Sequence, residues 1–270
     1  MSKTLLKRIV TSTLLTGLTA YILFFKSPLY FAIEVAFFVA FALHEFFSLL
    51  KDSGVPVNRF FGISMGVTLP AMVYLEFGMT QSGDVLFLIF GCLFLFLLQF
   101  FRKEDPQALI GISLTLFGIL YVSWFLSYLI RIRFMEGGVI WIAYLLLVTK
   151  FQDIGAYLVG TKFGRHKLIP HISPKKSVEG AIGGLLGSII VSLLLRPYLP
   201  LSFGWVHALL LGAAIGVIGQ IGDLSESLMK RCCHAKDSGA VLPGMGGFLD
   251  AVDSVLFTAP LFYFHLKIYL

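Results

Sequence analysis

The sequence has few charged residues and few cysteines, and each shortage excludes a class of protein. Only 13% of its 270 residues are charged, about half the share in an ordinary soluble domain, which excludes a soluble globular enzyme. The three cysteines, Cys92, Cys232 and Cys233, form no CxxC pair, so neither disulfides nor a zinc site are expected. The sequence also contains no GxxxxGK[ST] run, which excludes a Walker-type nucleotide loop.

Apolar residues are abundant instead, at 57% of the chain with 27 Phe and 27 Gly. Because about 20 apolar residues cross a bilayer as a helix, the composition predicts an all-α, polytopic integral membrane protein. No cleavage pattern of small residues follows the first apolar stretch, so it is interpreted as an uncleaved span. The nine predicted spans are 5–25, 29–50, 60–77, 85–101, 107–129, 138–160, 179–199, 204–225 and 248–270.

Connecting segments that are rich in Lys and Arg alternate along the chain with segments that are poor in them. If the N-terminus is inside, the inner segments, which include Arg102 and Lys103, hold 15 Lys and Arg, and the outer segments hold five. By the positive-inside rule this asymmetry predicts an N-in and C-out orientation. The net charge of +6 then follows from topology, and no nucleic-acid partner is expected.

The two halves of the chain differ in where their acids lie. The first five spans contain few acids, and Glu34, Glu45 and Glu76 form no cluster, so residues 1–137 are interpreted as a scaffold of transmembrane helices. In residues 138–270 the acids fall inside or at the ends of spans, and the loops are basic, which predicts a catalytic domain. Two pairs of glycines four residues apart, Gly183/Gly187 and Gly212/Gly216, favour close helix packing.

The sixth span carries charges that share one helical face. Lys150, Asp153 and Tyr157 follow at steps of three and four. A carboxylate in this position faces a partner or a watery cavity. A Lys150–Asp153 pair that holds two helices together and a functional acid therefore both remain open.

The loop between the sixth and seventh spans is basic and rich in hydroxyls. Lys and Arg alternate there with glycines and with residues such as Ser173, Lys175 and Lys176, a composition that suits a polyphosphate. The alternative is a loop that is basic only because it lies on the inner side. Ser177 precedes Val-Glu in a pattern typical of a helix N-cap.

The eighth span ends in a charged stripe. Its members share one helix face through offsets of 0, 3, 4, 7 and 8; they are Asp223, Glu226, Ser227, Lys230 and Arg231. Asp250 and Asp253 share a face of the last span, and carboxylates with phosphate oxygens are what Mg²⁺ binds. A salt bridge such as Asp223–Lys230 is the alternative, but it would explain only one pair among many acids and bases.

These residues form a long motif that resembles the signature of phosphatidate cytidylyltransferases, also called CDP-diacylglycerol synthases. It runs Ser227-Leu-Met-Lys230-Arg231, then Lys236-Asp237-Ser238-Gly239, then Leu242-Pro-Gly-Met-Gly-Gly-Phe-Leu-Asp250-Ala-Val-Asp253-Ser254. Shorter matches lie at Asp153-x-x-Ala-Tyr157, His166-Lys167-Leu, Ser173-Pro-Lys-Lys and Gly222-Asp223. The chain departs from the pattern at Met245, where the family usually has His, and at Ala251, where it has Arg.

The resemblance implies transfer of a cytidylyl group from CTP to phosphatidic acid, with CDP-diacylglycerol and pyrophosphate as products. It also implies Mg²⁺ with a possible second cation, a homodimer among membrane lipids, and an active site on the cytoplasmic side of the inner membrane. Asp223, Lys230, Arg231, Lys236, Asp237 and Asp253 are assigned to catalysis, with Asp237 orienting Lys236. Lys167, Ser173, Lys175, Lys176, Ser227, Gly244, Gly246 and Gly247 are assigned to nucleotide and cofactor binding, and Asp153, Asp223, Asp250 and Asp253 to metal binding.

Two other functions remain open at this point. A lipid alcohol kinase that uses CTP or ATP would also need basic loops and Mg²⁺, but it would release a nucleoside diphosphate rather than pyrophosphate. A secondary transporter would explain acids inside the membrane, and it predicts repeat symmetry between the halves, which the asymmetry of the acids does not favour.

Overall fold

The structure is a computed structural model that describes residues 3–76, 83–101, 106–200 and 203–269. Arg102 and Lys103, which the sequence places in an inner loop, lie outside the described residues. Residues 77 and 270, the predicted ends of two spans, also lie outside them.

Helices make up most of the described chain. In chain order they are α1 Lys3–Phe25, α2 Pro28–Asp52, α3 Arg59–Glu76, α4 Gly83–Phe100, α5 Ala108–Gly118, α6 Phe125–Arg133, α7 Gly138–Phe163, α8 Val178–Leu195, α9 Trp205–Cys232 and α10 Phe248–Tyr269. A π-helical turn, Ile119–Trp124, joins α5 to α6, so these form one continuous helical segment. Each predicted span coincides with one segment to within a few residues, except that α9 continues beyond residue 225 to Cys232.

Six helical segments among the described residues are long and apolar enough to cross a membrane. They are Pro28–Asp52, Gly83–Phe100, Ala108–Arg133, Gly138–Phe163, Val178–Tyr198 and Trp205–Cys232. The helical content and these segments are those of an α-helical membrane protein, as the composition predicts.

The chain divides into two compact units. The first comprises Met1–Met135 with Cys233–Ala251, and the second comprises Glu136–Cys232 with Val252–Leu270. The functional division at residues 137 and 138 stays a prediction, because compactness does not test which residues are catalytic.

In the first unit, a buried acid joins α4 to α6. Asp84, only 4% exposed, forms an ion pair of 2.5 Å with Arg131 and accepts a hydrogen bond of 3.1 Å from Trp124 Nε1. A buried carboxylate needs such partners to offset its desolvation. Arg131, which the sequence assigns to an outer segment, therefore also stabilises the packing of these helices.

In the second unit, glycines bring helices into backbone contact. A Cβ atom at Gly187 would lie 2.7 Å from the carbonyl oxygen of Phe151, and one at Gly216 would lie 2.2 Å from Ser188 Oγ. A Cβ at Gly183 would lie 2.4 Å from the Cβ of Val159. The packing interpretation of the glycine pairs is thus confirmed.

The predicted basic loop contains a small antiparallel hairpin. Strand β1, Lys167–Ile169, pairs with β2, Ser173–Ser177, so that Lys167 lies opposite Ser177 and Ile169 opposite Ser173. The sequence does not predict these strands because they are short, polar and interrupted by a proline, whereas strands favour β-branched and aromatic residues.

Candidate active site

The second unit gathers three carboxylates from three helices. Asp153 lies on α7, Asp223 on α9 and Asp253 on α10, and each of the three interacts electrostatically with the other two. Gly222 allows this approach, because a Cβ there would lie 2.5 Å from the carbonyl oxygen of Asp253. The glycine before Asp223 is therefore the sequence signal for the contact between α9 and α10.

One hydroxyl connects two of these acids. Ser254 Oγ lies 2.9 Å from Asp253 Oδ1 and 3.2 Å from Asp153 Oδ1. A serine hydroxyl has a single proton, so it serves one carboxylate at a time or shares the proton between them. Ser254, which is buried, is part of the motif but is absent from the predicted site residues.

Two lysines face the carboxylates. Lys176 Nζ lies 2.8 Å from Asp223 Oδ2, and Lys150 Nζ lies 3.7 Å from Asp153 Oδ2. The predicted Lys150–Asp153 pair is thus present, whereas Tyr157 on the same helix is 54% exposed. Three carboxyl groups therefore face two ammonium groups.

The donor chemistry of this cluster fits a hard divalent cation, since all three acids offer carboxylate oxygens. Over the described ranges, however, no group of three or more His, Cys, Asp or Glu side chains is placed to hold a metal ion as it stands.

The hairpin places its two adjacent lysines differently. Side chains alternate between the faces of a strand, and Lys176 reaches Asp223 while Lys175 is exposed. Lys167 is also exposed, and Ser173 is half-buried. The two exposed lysines are therefore the hairpin cations accessible to a solvated phosphate.

Two residues fix the hairpin to the start of α8. Ser177 Oγ accepts a hydrogen bond of 3.1 Å from the backbone N–H of Gly180, which confirms the predicted N-cap. The carboxylate of Glu179 accepts hydrogen bonds from the backbone N–H of Arg165, at 3.0 Å, and from that of His166. In the sequence, Glu179 belongs to the helix-start pattern Ser177-Val-Glu and to the family match that begins at Ser173, but it is not among the predicted site residues.

The charged stripe on α9 forms pairs that the sequence does not predict. Lys230 forms an ion pair with the fully buried Glu226, and Asp223 forms one with Lys176. Arg231 Nε donates a hydrogen bond of 3.1 Å to the carbonyl oxygen of Ile172, in the turn between β1 and β2. Ser227 is half-buried on the same helix.

The glycine-rich segment before α10 is a tight turn in the first unit. The N–H of Leu242 donates to the carbonyl oxygen of Gly246 over 2.9 Å. Gly244 and Gly246 have φ values of 81° and 100°, which L side chains rarely adopt. Lys236 and Asp237, just before this turn, are both exposed.

Asp250 is bound into this turn. Its Oδ2 accepts hydrogen bonds from Ser238 Oγ at 2.7 Å, from Gly247 N at 2.8 Å and from Ser238 N at 3.1 Å. Asp250 belongs to the first unit, whereas Asp153, Asp223 and Asp253 belong to the second. Its predicted metal role stays a prediction.

Sequence reasoning assigns one acid of the first unit, Glu45, only to the scaffold. Glu45 on α2 accepts a hydrogen bond of 2.9 Å from the backbone N–H of Leu249 and lies 3.2 Å from Ser238 Oγ. The sequence offers no local signal for this contact, because Leu249 follows Glu45 by 204 residues.

Comparison with known proteins gives the class. Residues 6–269 match the cytidylyltransferase family, and the chain belongs to that family. It is therefore a nucleotidyltransferase.

Three relatives share the same printed name, phosphatidate cytidylyltransferase. The protein of a Synechocystis species is 33% identical over 96% of this chain and 95% of its own length. The protein of Thermotoga maritima is 35% identical over 78% of each chain. That of Bacillus subtilis is 40% identical over 56% of each chain.

Removal of the Asp223 charge tests the carboxylate cluster. Asp223→Asn keeps the size of the side chain but leaves Lys176 without its carboxylate partner. We expect turnover to fall by about a hundredfold or more, the loss typical when one charge-stabilising group is removed, while the thermal unfolding temperature in detergent changes little. Asp52→Asn, at an exposed acid on α2, is the control and should keep full turnover. Full turnover of Asp223→Asn with its dependence on divalent cations intact would make Asp223 a salt-bridge partner only.

The two departures from the family motif give a second test. Met245 lies between the glycines of the turn, and Ala251 follows Asp250, and both are half-buried. We expect Met245→His and Ala251→Arg each to raise turnover. The arginine should raise it more, because its guanidinium adds a positive charge beside Asp250, where a phosphate group would otherwise meet only acids. The measurement is turnover at saturating CTP for the parent chain, both single variants and the double variant. Equal rates in all four would show that neither position affects the chemistry.

Proposed function

We propose that this chain is an integral membrane phosphatidate cytidylyltransferase, which converts CTP and phosphatidic acid to CDP-diacylglycerol and pyrophosphate. The observation that carries the proposal is the relative of that name, which is 33% identical and covers 96% of the chain. The packing of Asp153, Asp223 and Asp253 with Lys150 and Lys176 supports it, because the reaction joins two anions.

The reaction needs charge screening and alignment more than proton transfer. The attacking phosphate oxygen is already ionised at neutral pH, so the enzyme has to hold it in line with the α-phosphorus of CTP. In this proposal the exposed Lys167 and Lys175 bind the triphosphate. Arg231, bonded to the hairpin at Ile172, keeps that hairpin in place.

Cytidylyltransferase activity generally needs a divalent cation, and we propose Mg²⁺. Asp223 and Asp253 would hold it, with Asp153 available for a second cation, and the bound ion would supply neutralisation of the triphosphate charge. Lys176 and Lys150, which pair with Asp223 and Asp153, offset part of the repulsion among the three acids.

Pyrophosphate release tests the reaction directly. Purified protein in detergent micelles with CTP and Mg²⁺ should release pyrophosphate only when phosphatidic acid is present, because the lipid phosphate is the nucleophile. Diacylglycerol in place of phosphatidic acid is the matched control. Phosphorylation of diacylglycerol with release of CDP would identify a lipid kinase and overturn the proposal.

We also propose nine spans in an N-in and C-out orientation in the inner membrane, with the hairpin at residues 167–177 on the cytoplasmic side. The 15 to 5 distribution of basic residues supports the orientation, and CTP is a cytoplasmic substrate. The homodimer is proposed on the family resemblance alone.

Cysteine labelling tests this orientation. In a chain whose Cys92, Cys232 and Cys233 are replaced by Ser, we expect Lys175→Cys to escape an impermeant maleimide in intact cells and to react after lysis. Lys267→Cys, an exposed position at the proposed outer end of α10, should react in intact cells. The reverse pattern would overturn both the orientation and the assignment of the hairpin to CTP.

A further inference from the structure

A buried acid from the N-terminal helices contacts the motif segment Lys236–Asp250. Glu45, on α2, is 4% exposed. Its Oε2 accepts the backbone N–H of Leu249 at 2.9 Å and lies 3.2 Å from Ser238 Oγ. The same hydroxyl donates to Asp250 Oδ2 at 2.7 Å. Ser238 has one hydroxyl proton, so it lies between an acid of α2 and the first acid of α10 and serves them one at a time or shares the proton between them.

Two glycines of the motif leave room for this carboxylate. A Cβ at Gly239 would lie 2.4 Å from Glu45 Oε1, and a Cβ at Gly247 would lie 2.2 Å from Glu45 Oε2. Neither glycine has a positive φ, so backbone conformation does not require glycine at either position. A side chain at position 239 or 247 would instead occupy the space that the Glu45 carboxylate fills.

Glu45 also replaces a missing helix cap. α10 begins at Phe248, which makes Gly247 its N-cap residue, and glycine has no side chain to accept the N–H of Leu249 at the second position. Glu45 accepts that N–H instead, and Asp250 accepts the N–H of Gly247, as the acid of a capping box does. Both carboxylates also benefit from the positive end of the helix dipole.

A purely structural cap would not need a charge with an unsatisfied atom. Glu45 Oε1 is buried, and no hydrogen-bond partner for it exists among the described residues. Buried polar atoms are rarely left unpaired, and each exception calls for an explanation. The contacts to Ser238 and Leu249 are made by Oε2, while Oε1 lies against Gly239, so Glu45 is held in this position despite the cost of an unpaired oxygen.

We propose that Glu45 is a positioning residue for nucleotidyl transfer. It fixes the start of α10, and through Ser238 it fixes the orientation of the Asp250 carboxylate. The proposal rests on the proposed function for its catalytic part and on the contacts of α2 for its structural part. The N-terminal half therefore contributes to the active site through Glu45, although the sequence favours a pure scaffold.

The first test compares two buried acids on one helix. Glu45→Gln keeps the shape of the side chain but places an amide group where two acceptors are needed. Glu34→Gln is the matched control, because Glu34 on α2 is 9% exposed and bonded to Thr19 Oγ1 at 2.7 Å, outside the motif. Both variants are purified in detergent, and kcat, the KM for CTP and the unfolding temperature are measured.

We expect Glu45→Gln to lower kcat by about tenfold to a hundredfold, the usual loss when a group that orients a functional residue is removed. The KM for CTP should change less than kcat, and the unfolding temperature should shift no more than in Glu34→Gln, which should keep its kcat. An unchanged kcat in Glu45→Gln, or an equal loss in both variants, would overturn the proposal.

The second test needs no activity, so it separates this proposal from the proposed function. Gly239→Ala should lower the unfolding temperature in the parent chain, because the new Cβ meets the Glu45 carboxylate, and should lower it less in a Glu45→Ala background. Equal lowering in both backgrounds would overturn the arrangement at Glu45. If the parent chain releases no pyrophosphate, the proposed function fails, and this double-mutant comparison still decides the structural part.

Discussion

A carboxylate among apolar helices is costly unless a cation or hydrogen-bond donor accompanies it, and this constraint decides where the acids of the chain lie. Asp84 pairs with Arg131 in the first unit, and Glu226 pairs with Lys230 in the second. The first pair connects two neighbouring helices, and the second connects successive turns of one helix. In the cluster around Asp223 three acids face two lysines, and this difference from the simple pairs is what supports the proposed site for charged substrates.

The same constraint gives the glycines their positions. A short connection between a carboxylate and its donor on another helix requires that the backbones approach closely. Gly222 brings α9 to the backbone of Asp253, and Gly239 and Gly247 admit the carboxylate of Glu45. The glycines of the motif therefore fall into two groups, those that open space for an acid and those, such as Gly244, that supply a backbone conformation.

The helices could be predicted from the sequence because the length of an apolar stretch is a local property. The N-cap at Ser177 is also local, and its prediction is confirmed. The pairing of Lys176 with Asp223 was not predictable, because it depends on a hairpin whose strands carry no β-forming pattern. The role of Glu45 was not predictable either, because its partners Leu249 and Ser238 are 204 and 193 residues away in the chain and no cluster of charged residues surrounds it in the sequence.

The contact between Glu45 and Leu249 also has a consequence for the order of assembly. Chains grow from the N-terminus, so α2 leaves the ribosome 204 residues before the N–H group that its acid accepts. During that interval Glu45 has to be satisfied by water, by a proton or by a temporary partner. Docking of the turn before α10 is therefore a late step of biogenesis, and a truncated chain that ends before Leu249 would leave the Glu45 carboxylate without that backbone donor.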